Sequence, residues 1–492
     1  MSHVVRGSKE HEVKVLGGSR STCARLLFGR AHALLIGMAI VLLFTACGPA
    51  SQTSPSATYT ADATKPAVSA TPTVRALPEG NDWTQYRYDL VGTGFNPEGR
   101  ITSATSAKLA LAWTATAGGF LSTPAIVNGV VYAASHESLY AYDLLTGASK
   151  WHPNDLGEGG AINSSVAVDP KAHMAFFGTS TARVAAIDTN TGAILWNTQL
   201  ANPKAGAYIW SSPLLANNKL YIGLASYKDD PCVRGAVYAL DPHSGVLLWT
   251  HYTVPEGSLG GAVWSSVTAD PDAHQLIVTT GNPCPEGSVA YENDAIVGLD
   301  WDTGATRWKY TAISLDNCDC DFGEGAVTYT LNGQKYVVAG NKFGAVYAIH
   351  PPTGNGKPTL AWTARIARAG FVGKGGIFQP PAYSNGLVFV AGGPTPDGAC
   401  PKGSLNAFRG GSGALAWRVC TPGQAIGSGA ISGDLLFISF QGQLIAYKTT
   451  TGQKIWSVQQ EGEVWGGVAI SRGFVVSGTL ASKLYCYSLP HS

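Results

Sequence analysis

Residues whose side chains could do chemistry lie outside a repeated phrase that fills most of the chain. Trp264 follows a Gly-Gly-Ala-Val stretch, and Asn282 stands in a Thr-Gly-Asn-Pro turn. An indole face can stack on a planar ring, and an amide oxygen is a hard ligand for calcium. Further on, Asp321 could accept a proton and Lys342 could stabilise a developing oxyanion. The structural alternatives are a core tryptophan, a turn asparagine and a turn-capping carboxylate.

The repeated phrase defines the elements that must position these residues. The phrase consists of an apolar strand, a position that is usually Asp, a Thr-Gly or Ser-Gly pair, and then a Trp. It occurs seven times, first across residues 139–151. Alternating apolar residues predict a half-buried strand, Thr-Gly predicts a tight turn, and the Trp begins the return strand. Such repetition is typical of solenoids and propellers, because one unit cannot bury its apolar face alone. We interpret the repeat tryptophans as packing wedges between units.

Two half-units complete the set. Residues 109–113 read as the second half of a unit, and residues 483–487 read as a first half without its Trp. Joining them predicts an all-β, eight-bladed propeller of four-stranded antiparallel blades, closed by N- and C-terminal strands. Closure of this kind leaves no long exposed sheet edge.

Composition gives no electrostatic case for nucleic acid. Charged residues are 13% of the chain, and its formal net charge is +1. No run of Lys or Arg suggests a binding face for phosphates. We therefore expect no nucleic-acid partner.

The N-terminal residues resemble an export signal. Basic residues precede a short apolar run that ends in Phe-Thr-Ala-Cys, which is similar to the lipobox of bacterial lipoproteins. This predicts a signal peptide over 1–46, lipidation of Cys47, a Ser/Thr/Pro/Ala-rich flexible tether over 47–81 and the propeller over 82–492. The protein would be exported and held on the cell membrane by the lipid anchor alone, facing outside the cytoplasm. Ordinary signal cleavage and an uncleaved anchor are the alternatives.

Export would permit disulfide bonds. Cys400 and Cys420 flank one two-stranded unit and are a plausible pair, and Cys486 is expected to be a buried thiol. Four further cysteines allow three pairings, which the sequence does not distinguish; they are Cys232, Cys284, Cys318 and Cys320. Zinc is a minor alternative, because no tetrahedral Cys and His spacing is present.

The opening segment 82–97 and the Trp repeats resemble those of quinoprotein alcohol dehydrogenases, eight-bladed propellers that bind pyrroloquinoline quinone (PQQ). Around Cys232, the Cys-x-Arg-Gly neighbourhood is most similar to polyvinyl-alcohol dehydrogenases and their relatives. The repeat alone indicates only the fold, since propellers without a cofactor, including outer-membrane assembly lipoproteins, also carry it.

The resemblance implies roles for the residues outside the repeat. Trp264 would form the floor on which the quinone stacks, and Asn282 would be a calcium ligand. Asp321 would be the general base and a metal ligand, and Lys342 would lie near the quinone oxygens. Asp319 is a competing candidate for the role of Asp321.

Further positions follow from the same resemblance. Asp230 would supply another calcium ligand, with Asp229 beside it as the alternative, and Trp465 would line the cofactor pocket unless it is a core residue. Gly323 occupies the place of the extra carboxylate in lanthanide-dependent members, which favours calcium.

Two departures from the family affect the functional prediction. Residues 159–165 lack the adjacent cysteine pair that covers the second face of the quinone, and the chain has no Cys-x-x-Cys-His haem motif. The sequence thus predicts a monomeric PQQ- and calcium-dependent dehydrogenase that oxidises a small or polymeric alcohol and passes electrons to a separate acceptor. The alternative is a noncatalytic lipoprotein scaffold that binds another envelope protein.

Overall fold

The computed structural model describes residues 76–119, 122–136, 138–151, 160–285, 287–288, 291–314, 316 and 318–490. The predicted signal peptide and the lipidation site Cys47 lie outside these residues. Within them, no helix is both long enough and apolar enough to span a bilayer.

The described residues form eight antiparallel blades, of three described strands in blade 1 and four in each of the others. The strands of a blade follow one another along the chain, except that the outer strand of blade 8 precedes blade 1. The strands of blades 1 to 4 are Ala125–Val127, Val130–Ala134 and Leu139–Asp143; Ala167–Asp169, Met174–Gly178, Arg183–Asp188 and Ile194–Gln199; Leu214–Ala216, Lys219–Ser226, Ala236–Leu240 and Leu247–Tyr252; Thr268–Asp270, Gln275–Thr279, Ala295–Asp300 and Thr306–Thr311. Those of blades 5 to 8 are Val327–Leu331, Gln334–Gly340, Ala345–His350 and Thr359–Arg365; Ala382–Ser384, Leu387–Gly392, Ser404–Arg409 and Leu415–Cys420; Ala430–Ser432, Leu435–Phe440, Gln443–Lys448 and Lys454–Gln459; Ala469–Ser471, Phe474–Gly478, Lys483–Ser488 and Ala110–Thr116.

Short elements complete the fold. Leu259–Gly260 pairs with Pro283–Cys284, Ala207–Tyr208 extends blade 3, and Phe95–Asn96 runs parallel to the first strand of blade 7. Single 3₁₀ turns occur at Ser106–Lys108, Pro203–Ala205 and Pro271–Ala273.

The predicted ring closure is confirmed. Ala110–Thr116 forms the outer strand of blade 8 beside Lys483–Ser488, and Leu111 lies opposite Tyr487. The first strands of blades 8 and 1 also contact each other. The two ends of the described chain are therefore joined by a strand ladder within one blade.

The repeat turns have a common local structure, shown by the copy in blade 2. Asp188 Oδ1 accepts the backbone N–H of Asn190 at 2.9 Å and of Thr191 at 2.8 Å, and the Thr191 hydroxyl at 3.0 Å. Gly192 follows at φ +76°, a conformation that favours glycine. These hydrogen bonds to the charged form hold the pKa of the Asp188 carboxyl below its usual range.

The repeat tryptophans pack between blades, as expected. Trp417 of blade 6 donates to the Thr449 carbonyl of blade 7 at 2.8 Å, and a Cβ on Gly452 would lie 2.6 Å from its ring. Trp113 makes the equivalent contact from blade 8 to Gly147 of blade 1. Blade 4 differs, because Trp308 bonds Gln275 of its own blade.

The segment 82–96 runs around the ring and bonds the first strands of successive blades. Within the described residues it reaches blades 1, 2, 4, 5, 6, 7 and 8, through backbone bonds to Ile126, Val168, Ala269, Thr328, Tyr383 and Ile431 and through the Asn96 side chain to the Ile470 carbonyl. Inside the loop of this segment, buried Arg87 donates to carbonyls of Gly92, Ala326 and Pro381. A single stretch of chain therefore connects seven of the eight blades through their first strands.

Candidate functional site

One cavity of about 450 Å³ is lined by residues from every blade. In most blades the lining residue stands two positions before the first strand, as Ser165, Ser212 and Ser266 do. The Ser165 hydroxyl accepts the Thr123 N–H at 2.9 Å, and the Ser212 hydroxyl accepts the Ser165 N–H at 3.0 Å. The cavity therefore lies on the axis of the ring, and Tyr86 of the 82–96 segment is part of its lining.

The structure brings four predicted residues together at this cavity: Trp264, Asn282, Asp321 and Lys342. Lys342 Nζ lies 2.6 Å from Oδ1 of Asp321 and 5.1 Å from the centre of the Trp264 ring. The Trp264 indole N–H donates to Asp321 Oδ2 at 3.1 Å. The Asp321 carboxylate, the Lys342 ammonium and the Trp264 ring thus form one connected group.

Asp319 is also part of this group. Its Oδ1 lies 2.6 Å from Lys342 Nζ, so the lysine contacts two carboxylates at once. A disulfide between Cys318 and Cys320 encloses Asp319, and Asp316 accepts the N–H of both cysteines at 2.9 Å. The short ring holds the Asp319 backbone at φ +51°, with its side chain toward Lys342.

Burial sets the acid–base properties of the group. Burial raises the pKa of Asp321 to about 6, although Lys342 opposes this change. Burial alone would lower the pKa of Lys342, but the charges of Asp321 and Asp319 outweigh it and raise the pKa above its ordinary value. Lys342 therefore stays charged, and the Asp321 carboxylate is a stronger base than an exposed aspartate.

The oxygen ligands expected for calcium are only partly those predicted. Asn282 lines the cavity, and its side chain has no hydrogen bond among the described residues. Asp229 lines the cavity too, whereas Asp230 faces a separate surface pocket beside Lys204 and Pro231. Amide and carboxylate oxygens on one cavity fit a hard cation. Asn282, Asp321 and Asp229 are thus the set that could hold it.

Trp465 lies at the edge of the cavity rather than in the core. It is 39% exposed, and its indole N–H donates to Glu463 at 2.9 Å. Trp465 is therefore not a core residue, and the exposed part of its side chain is available to a bound molecule.

Sequence reasoning missed two groups at the site. Glu324 lines the cavity and accepts a 3.4 Å hydrogen bond from the Tyr86 hydroxyl, and burial raises its pKa to about 8. Small polar residues two positions before the first strands of five blades were the available signal, since Glu324 stands close to that place, three positions before Val327. Asp294 is buried behind the site beside Asp316, and burial raises its pKa to about 9.

The cysteines form three disulfides in the described residues. Cys400 pairs with Cys420 as expected, and the other pairs are Cys232 with Cys284 and Cys318 with Cys320. Cys486 is a buried free thiol. Cys318 and Cys320 lie close to Asp316, but as a disulfide they are not available as thiolate ligands, so the site remains one of oxygen donors.

The fold and the connected group of Asp321, Lys342 and Trp264 define a quinoprotein-type propeller. A family profile described as glucose/ethanol/alcohol dehydrogenase, beta-propeller domain, matches residues 83–366, more than half of the 492 residues. The chain belongs to this family of PQQ alcohol dehydrogenase-like β-propellers.

Individual relatives are distant. A polyvinylalcohol dehydrogenase of Pseudomonas sp is 26% identical over 439 residues, covering 76% of this chain and 67% of the relative. The crystal structure of quinohemoprotein alcohol dehydrogenase from Comamonas testosteroni is similar with a TM-score of 0.68 and 19% identity, over 84% of this chain and 82% of that one. At that identity the structural likeness shows the fold alone.

A second profile, described as outer membrane protein assembly factor BamB, matches residues 292–483. The structure of BamB from Moraxella catarrhalis has a TM-score of 0.55 and 17% identity, covering 76% of this chain and 97% of that one. The propeller fold is thus shared with BamB of Moraxella catarrhalis.

Proposed function

We propose that the protein is a PQQ- and calcium-dependent dehydrogenase that oxidises an alcohol in the axial cavity. One observation carries the proposal: Trp264, Asn282, Asp321 and Lys342, chosen at positions outside the repeat, line a single cavity. Residues that only capped turns would have no reason to converge on the axis. Family membership supports the same activity.

The residues present fit the cofactor and the metal. The partly exposed indole of Trp264 offers a platform for a planar ring, and Asn282, Asp321 and Asp229 would hold calcium. When bound, the quinone supplies the acceptor for a hydride and its two electrons, and calcium supplies a Lewis acid.

The chain's own residues supply proton transfer and charge. Asp321 Oδ takes the hydroxyl proton of the alcohol as the carbinol carbon loses hydride, so that a carbonyl product forms. Lys342 keeps Asp321 ionised and presents positive charge beside it, where negative charge develops on oxygen. Trp264 orients Asp321 through its indole N–H. The two electrons would pass to a separate acceptor.

The direct test is reconstitution. Purified protein incubated with calcium and PQQ should show bound quinone absorbance and reduce a dye with primary or secondary alcohols. Asp321→Asn should abolish turnover while circular dichroism and quinone binding persist. Absence of both bound quinone and dye reduction in the unchanged protein would refute the proposal.

We further propose that the protein is exported and lipid-anchored through Cys47. The lipobox-like sequence before Cys47 and the three disulfides support a location outside the cytoplasm. Mass spectrometry of the N-terminal peptide should find a diacylglyceryl-modified cysteine, and Cys47→Ala should release the protein from the membrane fraction. An unmodified N-terminus at another residue would contradict the anchor.

The second candidate is a noncatalytic scaffold, favoured by the match of residues 292–483 to BamB. A scaffold would bind an envelope protein through its loops and would not need the axial charges. A stoichiometric partner recovered equally well by the Asp321→Asn and Trp264→Ala variants, together with absence of bound quinone, would establish it.

A further inference from the structure

A glycine-rich loop presents two exposed apolar side chains to the axial cavity. This loop, residues 370–376 and here called the rim loop, connects blade 5 to blade 6. Phe371 is 61% exposed and Val372 is 40% exposed, and both line the cavity. Apolar surface left in water is unfavourable unless a bound molecule covers it. Phe371 and Val372 therefore leave apolar surface in contact with water that a bound molecule could cover.

The rim loop is held in place at both ends. Gly370 N–H donates to the Lys342 carbonyl at 3.1 Å, and Gly373 N–H donates to the buried Gln424 side chain at 2.7 Å. Gln424 donates in turn to the Gly375 carbonyl at 2.7 Å. A Cβ on Gly376 would lie 3.0 Å from Lys342 Cα, so the loop also packs closely on the lysine backbone. Phe371 thus has a defined position relative to Lys342.

Other exposed aromatic side chains also line the cavity. Trp465 is 39% exposed and Tyr227 is 52% exposed. Lys228 places its Nζ 5.2 Å from the centre of the Tyr227 ring, so its charge lies against an aromatic face. The charged groups Asp321 and Lys342 are largely buried in the same cavity. The exposed part of the lining therefore combines the apolar and aromatic side chains with the charged Lys228 and Asp229, whereas Asp321 and Lys342 lie in its buried part.

We infer that the rim loop selects alcohols that carry an apolar chain, with Phe371 and Val372 as the specificity-determining residues. The inference rests on the proposed dehydrogenase function and names its substrate class. A hydroxyl directed to Asp321 leaves the rest of the alcohol beside the rim loop, where each methylene taken from water strengthens binding. Full burial of one methylene gives roughly a three- to fourfold gain in affinity, and partial burial gives less.

The test uses the full chain loaded with calcium and PQQ and a series of unbranched primary alcohols from ethanol to 1-octanol. The unchanged protein should show kcat/KM rising with chain length, roughly twofold or more for each methylene. The double variant Phe371→Ser with Val372→Ser should lose most on octanol and least on ethanol, mainly through KM. Leu415→Ser, which alters an equally exposed leucine on the outer strand of blade 6, is the matched control and should keep the slope.

Two outcomes would overturn the inference: a flat chain-length series in the unchanged protein, or a double variant with the original slope. Failure of every alcohol to reduce the dye would instead refute the proposed function. In that case a second measurement still tests whether the rim loop binds an apolar chain. Without cofactor, the unchanged protein should show quenching of its tryptophan fluorescence at a lower octanol concentration than the double variant does. Quenching at the same octanol concentration in both proteins would refute binding at the rim loop.

Discussion

Lys342 holds Asp321 at two points: its backbone N–H donates to the Asp321 carbonyl at 2.8 Å, and its Nζ lies 2.6 Å from Asp321 Oδ1. The first contact fixes the chain around Asp321, and the second fixes the charge of its carboxylate. A carboxylate that is only 1% exposed keeps its charge at neutral pH only with such a partner.

Removing the cation should therefore destabilise the protein. Lys342→Met leaves Asp321 and Asp319 as neighbouring carboxylates without a counter-charge, and breaking a buried pair costs about 3–5 kcal/mol. Urea unfolding without added metal measures this loss. Lys342→Arg keeps the charge and should lose clearly less; equal losses would show that shape rather than charge is responsible.

The pH dependence of stability should change in Glu324→Gln. Burial raises the pKa of Glu324 to about 8, against the opposing effects of Arg87, the Tyr86 hydroxyl and the Gly325 N–H. The folded protein thus holds this proton more tightly than the unfolded chain, so the stability it provides is complete below about pH 4.5 and is lost as pH rises through about 8. Compared with the unchanged protein, the variant should show a flatter Tm profile between pH 5 and about 8.5 and a higher Tm at the alkaline end. Parallel profiles would contradict the assignment.

Arg87→Met should weaken the whole ring. The change removes the donor for the buried carbonyls of Gly92, Gly325 and Pro381, whereas the Ala326 carbonyl keeps the Thr268 hydroxyl as a donor. Each buried carbonyl left without a donor costs about 1–3 kcal/mol, so we expect a loss of at least about 3 kcal/mol in urea unfolding. Arg409→Met, at an exposed arginine, should stay within about 0.5 kcal/mol.

Two glycines separate backbone strain from blade packing. Gly333 has φ +76° and no neighbour near its missing Cβ, whereas Gly452 has φ +72° and a Trp417 ring atom 2.6 Å from that position. Gly333→Ala should cost about 1–2 kcal/mol from strain alone. Gly452→Ala should cost about 1–3 kcal/mol more from overpacking. If thermal unfolding shows the same loss of stability for both variants, the Trp417 ring can move to admit the methyl group without destabilising the protein.

The sequence predicted the ring because its signal is local and repeated. The turn chemistry of Asp188 to Gly192 and the joining of the half-units 109–113 and 483–487 could both be inferred from residue types, whereas the register that places Leu111 opposite Tyr487 could not. The partners of Lys342 could not, since two carboxylates two positions apart look equivalent until the Cys318–Cys320 ring is known. Asp229 and Asp230 show the same limit: neighbouring residues in an irregular loop can face different pockets, and no periodicity distinguishes them.

The opening segment 82–96 gives the axial cavity a direction. Because that segment bonds the first strands of seven blades and places Tyr86 in the cavity lining, we expect molecules to reach Asp321 from the side of the cavity that faces away from the segment. If the proposed function is correct, substrate, product and electron acceptor would use the same entrance to the cavity, so that one must leave before the next can bind. Catalysis would then follow a ping-pong order, and excess of a bulky alcohol would inhibit competitively against the acceptor.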